Sequence, residues 1–314
     1  MFRGRIVVLA ALAACNLSDG PAGQNRTPER VARALAGEGN VTTYHNDNAR
    51  TGAYLVERFL TPANVKTGTF GRLFTQMVDG QVYGQPLYVG GVAVAGKGLH
   101  NVVFVATQHN SIYAFDAADD TGGNAQPLWQ KSFGPSVPAA DLNTGDIPTE
   151  VGITGTPVID DTTDTLYVVT KNKENGIHLQ RIHALDITSG NERAGSPKVI
   201  EGPGYTQALR AHQRPGLVLY KGVVYAAFSS HGDNNPYHGI VFGFDAKTLD
   251  RVASFNVTPS GTRGGIWSGG CAAAVDSTGN MYVTTGNGDF DGVMNYGESV
   301  VKLSTACTLS TPAT

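Results

Sequence analysis

The sequence predicts an all-β fold, a β-propeller of four-stranded antiparallel blades. The first observation is a recurring pair of apolar runs joined by a short polar break, a pattern typical of a β-hairpin. The first such pair is Val102–Thr107 and Ile112–Phe115. The second observation is the spacing: the residues that close the second run recur 70, 59 and 59 positions apart, at Asp116, Asp186, Asp245 and Ser304. Multi-stranded units at a near-constant period are the sequence signature of propeller blades.

The composition agrees with many short strands and tight turns. The chain has 314 residues, of which 40 are glycine and 15 are proline, and only 16% are charged, compared with roughly 25% in an average domain. A hydrophobic fraction of 41% is enough to build a core. The net charge of −3, without a basic patch, argues against nucleic acid as a partner.

The N-terminal residues have the pattern of a targeting segment. Arg3 and Arg5 precede the apolar run Ile6–Ala14, which is too short to span a bilayer. The run ends Leu12-Ala13-Ala14-Cys15, which resembles the lipobox of bacterial lipoproteins. The resemblance implies lipidation of Cys15 and anchoring of an exported protein to a membrane of the cell envelope; the alternative is an ordinary secretory peptide with an incidental cysteine. We therefore divide the chain into a signal peptide (1–15), a polar tether (16–42) and a propeller (43–314).

Each repeat contains up to four predicted strands. Repeat by repeat, they are Gln85–Val89, Val102–Thr107, Ile112–Phe115 and Pro127–Phe133; Gly155–Ile159, Leu166–Thr170, Leu179–Leu185 and Pro197–Ile200; Gly216–Leu219, Val223–Phe228, Ile240–Phe244 and Arg251–Phe255; and Cys271–Val275, Met281–Thr285 and Ser299–Leu303. A further strand is predicted within Gly71–Val78. About four blades are thus present. We expect them to belong to a seven- or eight-bladed ring, since an open arc would leave edge strands bare, although four blades can also close a ring.

The repeats are longer than those of short-repeat propellers because they carry inserted loops. These loops are Gly134–Val151, Glu201–Arg214, His231–Gly239 and Gly286–Gly297. Insertions on one face of a repeat array commonly form its binding surface. The sequence therefore predicts that a protein, a glycan or a small ligand binds to these loops.

Three stretches carry a resemblance to a known family. Leu60–Val65, Gln85–Val89 and His100–Ala117 are similar to the start of quinoprotein-like β-propellers, whose repeats are named for pyrroloquinoline quinone (PQQ). In that family an aspartate at the strand end precedes a tryptophan that docks between blades. Here Ala184–Gly190 matches the first half of this motif without a following tryptophan, and Trp129 follows its aspartate only after an insertion.

The resemblance implies two possible functions. Quinoprotein dehydrogenases hold PQQ on the channel axis with a calcium ion and a base carboxylate, and many have a disulfide between adjacent cysteines. This chain has no adjacent cysteines, has only Trp129 and Trp267 to supply a stacking floor, and has no residue that maps onto the catalytic aspartate. These differences favour a binding or scaffold protein; the alternative is a PQQ- and calcium-dependent oxidoreductase.

One loop matches the spacing of a calcium ligand set. Asn287, Asp289, Asp291, Gly292 and Glu298 occupy positions 1, 3, 5, 6 and 12 of an EF-hand-type loop. This spacing allows alternate side chains to converge on Ca²⁺, although strands rather than helices flank the loop. The alternative is a hairpin loop rich in turn-forming residues.

Several other polar residues are weaker candidates. His231, Asp233 and His238 share one loop and could bind a transition metal, but the turn-forming residues around them favour a solvated loop. Four residues before the third and fourth repeats are expected to line the axial channel or to pack between blades: His212, Arg214, Arg263 and Trp267. Three acids are spread along one loop that we expect to be solvated: Asp141, Asp146 and Glu150.

Two cysteines remain beyond the signal peptide. Cys271 and Cys307 lie on either side of the fourth hairpin. Export would place them in an oxidising compartment, where disulfides persist. They form either a disulfide or two free thiols, and the distance between them in the fold decides which.

Overall fold

The sheets of the protein are stacked antiparallel blades that follow one another along the chain. The computed structural model describes residues 4–8 and 39–307. The first two strands pair with each other in an antiparallel ladder, β1 (Gly4–Val8) and β2 (Phe74–Val78). Cys15, the predicted lipidation site, lies outside the described residues, so signal cleavage and lipidation stay predictions.

The first two blades each have four strands in simple up-and-down order. Blade 1 contains β3 (Leu87–Val94), β4 (Gly98–Ala106), β5 (Ser111–Asp116) and β6 (Trp129–Ser132). The connection to blade 2 contains β7 (Val137–Pro138), the one-turn helix α1 (Ala139–Leu142) and β8 (Glu150–Val151). Blade 2 contains β9 (Val158–Asp160), β10 (Thr165–Glu174), β11 (Ile177–Asp186) and β12 (Lys198–Val199).

Blades 3 and 4 complete the described part. A short strand, β13 (Ala211–His212), pairs with the far end of β15 in blade 3. Blade 3 contains β14 (Val218–Tyr220), β15 (Val223–Ser230), β16 (Ile240–Asp245) and β17 (Arg251–Asn256). Blade 4 contains β18 (Ala274–Val275), β19 (Asn280–Thr284) and β20 (Val300–Ser304). Among the described residues, no helix is both long and apolar enough to span a bilayer.

The core lies between the blades because each strand alternates its side chains between two faces. On β10, Leu166 and Val168 pack toward blade 1, whereas Tyr167 and Val169 pack toward blade 3. β15 likewise divides its side chains between blades 2 and 4, and β2 covers part of the free face of blade 1. A single blade therefore buries its two apolar faces only by stacking on its neighbours, as the repeat pattern predicts.

A segment near the N-terminus, which we call the strap (residues 40–52), crosses all four blades. It bonds to the first strand of each blade, or to the residue just before that strand. The bonds are Val41 N–H to Tyr88 O (2.8 Å), Ile159 N–H to Thr42 O (2.8 Å), Asn48 Nδ2 to Leu219 O (2.9 Å) and Arg50 Nε to Ala273 O (3.0 Å). The chain therefore joins the propeller at residues 40–41, slightly before the boundary at residue 43 that the sequence indicated.

The predicted strands are present in the predicted order, although the bounds of most of them differ. The β10–β11 hairpin extends to Glu174 and Ile177 and so projects beyond the predicted ends of its strands. β6 is shorter than the predicted outer strand. The strand-end aspartates have a structural role, since their Oδ1 atoms accept backbone N–H bonds from the following turns at 2.8–2.9 Å, in Asp116, Asp186 and Asp245.

Trp129 docks between blades 1 and 2. Its indole Nε1 donates a hydrogen bond to the carbonyl of Ile187 at 2.8 Å. Its ring lies against Gly190, where a Cβ would come within 2.6 Å of the ring. The sequence showed the docking motif only in part within each repeat. In the structure, Trp129 of the first repeat docks on the Ala184–Gly190 turn of the second repeat and so completes the motif.

Candidate functional site

The four inserted loops meet on one side of the propeller. His231 Nδ1 lies 3.7 Å from Asp146 Oδ2, which joins loops 231–239 and 134–151. The amide of Asn287 donates to Asp233 Oδ2 at 3.3 Å, which joins loops 286–297 and 231–239. His212, from loop 201–214, stacks on His231. This contiguous loop surface, which we call the loop face, contains the candidate site.

Two histidines form the buried part of the site. His212 ends β13, which pairs with Ser229–Ser230 at the end of β15, and His231 follows β15 directly. The antiparallel pairing therefore brings the two imidazoles together, with ring centroids 4.0 Å apart and an interplanar angle of 16°. His212 is 4% exposed and His231 only 1%. The expectation that loop 231–238 is solvated is wrong for His231, because the ring turns back under the neighbouring loops.

None of the four ring nitrogens of these histidines has a hydrogen-bond partner in the described part of the chain. Buried polar atoms in native proteins are almost always hydrogen-bonded. Each group left unsatisfied costs about 1–3 kcal/mol of stability. Two stacked imidazoles without hydrogen-bond partners are therefore unusual within a well-packed blade.

Asp146 completes the cluster and opens it to solvent. It lies between α1 and β8, and its side chain is 41% exposed. The ligand atoms of Asp146, His212 and His231 all lie within 4.8 Å of one another. Within residues 4–8 and 39–307, this is the one set of three or more histidine, cysteine or acidic side chains that meets so closely. The expectation that Asp146 belongs to a separate solvated loop is therefore wrong in one respect, since its carboxylate faces the histidines.

The charge states suit a ligand set. Burial lowers the pKa of His231 to about 4. Burial is also the main cause that lowers the pKa of His212 well below its ordinary value, and the electrostatic effect of His231 is the second cause. Both rings are therefore neutral at pH 7 and keep a lone pair free. The imidazole of His231, and then the hydroxyl of Thr144, hold the pKa of Asp146 well below its usual range. The site thus presents two neutral imidazoles and one carboxylate.

Lys171 lies fully buried beside the cluster and was not singled out by the sequence. Its Nζ donates to the backbone carbonyls of Ala208, Leu209 and Ala211 at 2.7, 2.8 and 2.6 Å. These bonds hold the backbone that leads into His212. Burial lowers the pKa of Lys171 to about 7. No local signal marked Lys171, because it lies in the polar run Thr170–Glu174 at the end of β10.

A second polar cluster lies next to the first, around Asp233. Its carboxylate accepts hydrogen bonds from the Tyr237 hydroxyl, from Arg263 Nη1 at 3.3 Å and from Asn287 Nδ2 at 3.3 Å. Trp267 donates to Ser230 O at 3.1 Å and packs against glycines 265 and 286. These donors and the guanidinium of Arg263 make a poor environment for a cation.

The predicted calcium loop has its own internal bonds. Asp291 Oδ1 accepts the backbone N–H groups of Val293, Met294 and Asn295 at 2.8–2.9 Å. Asp289 Oδ2 accepts the N–H of Thr262 at 2.7 Å. In the described residues, the carboxylates of Asp289, Asp291 and Glu298 do not form a group in which all three lie within 4.8 Å of one another. Calcium binding by Asn287, Asp289, Asp291 and Glu298 stays a prediction, and it requires this loop to rearrange.

The remaining candidates have structural partners. Asp141 pairs with Lys173 at 2.6 Å and His178 at 2.8 Å, and Glu150 pairs with His109 at 3.0 Å. Arg214 lies over the ring of Tyr83, 5.9 Å from its centroid. Arg214 therefore packs against an aromatic ring, and Asp141 and Glu150 pair with basic side chains, which differs from the solvated loop expected for the two acids.

Cys271 and Cys307 are both free thiols, so the possible disulfide does not form. Cys271 is exposed and lies 3.7 Å from the Tyr44 hydroxyl of the strap. Cys307 is buried in the core between blades 3 and 4.

Comparison with known proteins identifies the fold. No family model and no curated protein matches the chain. Among solved structures, a quinohemoprotein alcohol dehydrogenase from Comamonas testosteroni matches with a TM-score of 0.60 and 17% identity over 90% of this chain. The quinohemoprotein alcohol dehydrogenase ADHIIG from Pseudomonas putida HK5 matches with a TM-score of 0.59 and 16% identity over 90% of this chain. A europium-containing methanol dehydrogenase matches with a TM-score of 0.56 and 13% identity over 89% of this chain.

The chain spans less than half of each of these structures, namely 42%, 41% and 49% of their length. At such low identity the likeness shows architecture and not activity. The blade order, the stacking of the sheets and these matches agree with one another: the chain has the β-propeller fold of the quinoprotein alcohol dehydrogenases.

Proposed function

We propose that this chain is the propeller of an exported, lipid-anchored binding or scaffold protein of the cell envelope, and that it binds its ligand on the loop face. The observation that carries the proposal is the convergence of four inserted loops around buried but unpartnered polar groups. Ligand sites typically combine a concave surface with a few convergent polar groups. The ligand is a protein, a glycan or a small molecule.

The binding proposal can be tested by hydrogen exchange on the purified full chain. A panel of soluble oligosaccharides and peptidoglycan fragments serves as the probe. We expect a bound probe to slow amide exchange in loops 134–151, 201–214, 231–239 and 286–297, and to leave the turns at the opposite ends of the blades unchanged. Slowed exchange at those opposite turns alone would contradict the loop face as the binding surface.

The anchoring proposal rests on the lipobox-like sequence that ends at Cys15. Metabolic labelling with radioactive palmitate tests it in cells that express the full chain. We expect the label to enter the wild-type protein and not the Cys15→Ser variant, and we expect only the wild type to fractionate with membranes. Equal labelling of the two proteins would exclude Cys15 as the lipidated residue.

A PQQ- and calcium-dependent oxidoreductase is the second candidate. The fold favours it, because the matching structures include a quinohemoprotein alcohol dehydrogenase and a europium-containing methanol dehydrogenase. The lack of adjacent cysteines and of a residue that maps onto the catalytic aspartate argues against it. Addition of PQQ and Ca²⁺ to the full chain, followed by dye reduction with alcohols and sugars, discriminates between the two. Turnover above that of a heat-denatured control would support the enzyme; its absence is expected for the binding protein.

A further inference from the structure

We propose that Asp146, His212 and His231 bind a divalent transition metal ion of the zinc class on the loop face. The set contains two imidazole nitrogens and one carboxylate oxygen that the fold brings within 4.8 Å of one another. Imidazole nitrogen with carboxylate oxygen is a donor set that suits zinc and similar transition metals, whereas calcium and magnesium prefer all-oxygen sites. The site is separate from the Asp289–Asp291 loop and from the cluster around Asp233.

The first argument is that a metal ion explains the bare imidazoles. All four ring nitrogens of His212 and His231 lack partners, although both side chains are at least nine-tenths buried. A core histidine with a purely structural role normally bonds through at least one ring nitrogen. His183 provides the contrast within this chain, since its Nδ1 bonds to Glu192 at 2.8 Å and its Nε2 to Thr170 at 3.1 Å.

The second argument is that the geometry needs only a small adjustment. Metal–ligand bonds of about 2.0–2.2 Å in a tetrahedron place donor atoms about 3.3 Å apart. Asp146 Oδ2 is already 3.7 Å from His231 Nδ1. The stacked rings must tilt apart so that one nitrogen of each faces the same point, and Asp146 is exposed on a loop that can move inward.

The third argument concerns access and coordination number. The pairing of β13 with β15 places the backbone of the two histidines, whereas Asp146 faces solvent and provides a path for the ion. Three protein ligands leave one tetrahedral position open. We infer that this position lies on the Asp146 side, where a donor group of a bound ligand would complete the coordination. This last step rests on the proposed function, but metal binding itself does not.

The neighbouring cation is already accounted for. Lys171 is the nearest buried positive group, and its Nζ is bonded to three backbone carbonyls that lead into His212. It therefore positions β13 rather than competing as a ligand. Arg214 points away to the ring of Tyr83.

The test is zinc titration of the metal-free full chain by calorimetry, with Co²⁺ absorption spectra as a second readout. We expect one ion at this site, an increase in the melting temperature with zinc, and a tetrahedral Co²⁺ spectrum. Loss of an outer-shell partner alone costs about 10–100-fold in affinity, so we expect Asp146→Asn and His231→Gln to lose at least about 100-fold. His178→Gln is the matched control, since it removes a histidine of the same region that pairs with Asp141.

Asp146→Asn keeps the proposal falsifiable if the buried His231→Gln variant unfolds, because the side chain of Asp146 is exposed and its replacement leaves the core intact. Zinc affinity in Asp146→Asn equal to that of the wild type would overturn the proposal, and so would a wild type that binds no zinc. A loss in His178→Gln as large as in Asp146→Asn would also overturn it. Zinc binding without any protection of the loop face by a probe would refute the proposed function and leave the metal site standing.

Discussion

The hydroxyl of Tyr167 donates a hydrogen bond to the backbone carbonyl of Ala246 in the next blade, 2.8 Å away. The same bond recurs one blade later, from Tyr225 to Thr305 at 2.5 Å. In blade 1 the indole of Trp129 takes the place of the tyrosine and bonds to Ile187. The three acceptors are Ile187, Ala246 and Thr305, which are spaced 59 residues apart. Each directly follows the third strand of its blade. The period read from the sequence is therefore also the period of the bonds between blades.

The Tyr167→Phe variant should be less stable by about 1–2 kcal/mol, because it removes one hydrogen bond and leaves the Ala246 carbonyl without a partner. Urea unfolding of the full chain measures this change. Tyr282→Phe is the matched control, since Tyr282 bonds to Asp276 within its own blade. Equal losses in the two variants would contradict a special role for the bond between blades.

Gly190→Ala should destabilise the contact between blades 1 and 2. Gly190 has φ +72° and faces the Trp129 ring, which a Cβ would approach to 2.6 Å. Gly222→Ala is a control with the same backbone conformation, φ +75°, and open space around it. We expect Gly190→Ala to cost at least about 1 kcal/mol more than the control, since overpacking alone typically costs about 1–3 kcal/mol. Equal urea midpoints for the two variants would contradict this expectation and show that the Trp129 ring moves away without cost.

The stability of the protein should rise with pH above neutrality through Lys171. Burial lowers the pKa of Lys171 to about 7, whereas the unfolded chain keeps a value of about 10.4. Between these values the unfolded state binds more protons, so the free energy of unfolding increases with pH. We expect a gain of up to about 3 kcal/mol between about pH 7 and about pH 9 that is absent in Lys171→Met.

Urea unfolding in the presence of a chelator measures this gain at each pH. Lys173→Met serves as the control, because Lys173 is partly exposed in its pair with Asp141. Parallel pH profiles for the wild type and Lys171→Met would rule out Lys171 as the source.

The calcium prediction concerns the loop from Asn287 to Glu298. If the spacing of its acids reflects a binding site, millimolar Ca²⁺ should raise the melting temperature of the wild type. It should leave the Asp289→Asn/Asp291→Asn double variant unchanged, because the variant lacks two of the predicted ligands. Asp276→Asn removes an acid from a tight turn elsewhere in blade 4 and is the control. A wild type that does not respond to Ca²⁺ would dismiss the loop as a calcium site.

The strands could be predicted because their signal is local. Alternating residues such as Leu166 and Tyr167 report the two faces of one blade, and turn formers such as Asp186 report where a strand ends. The length of the β10–β11 hairpin was not predictable, because Lys171 and Asn172 are polar and gain their partners from other segments of the chain.

The site was harder to predict because it depends on distant residues. Asp146, His212 and His231 are separated by 66 and 19 positions, and the sequence placed them in three different groups of candidates. Burial of His231 follows from its stacking on His212, which no local pattern shows. One signal could have been used. His212 precedes the first strand of blade 3 and His231 directly follows the second, and antiparallel pairing of the chain at these two positions brings the residues together.

The strap also determines when this protein can finish folding. Asn48 and Arg50 are made early, yet their partners Leu219 and Ala273 come 171 and 223 residues later. Contacts of such long sequence separation slow folding, and chains form from the N-terminus onward during synthesis. The strap must therefore leave the ribosome without its acceptors and wait until the fourth blade has been translated. Until then, the bonds that connect the strap to blades 3 and 4 cannot form.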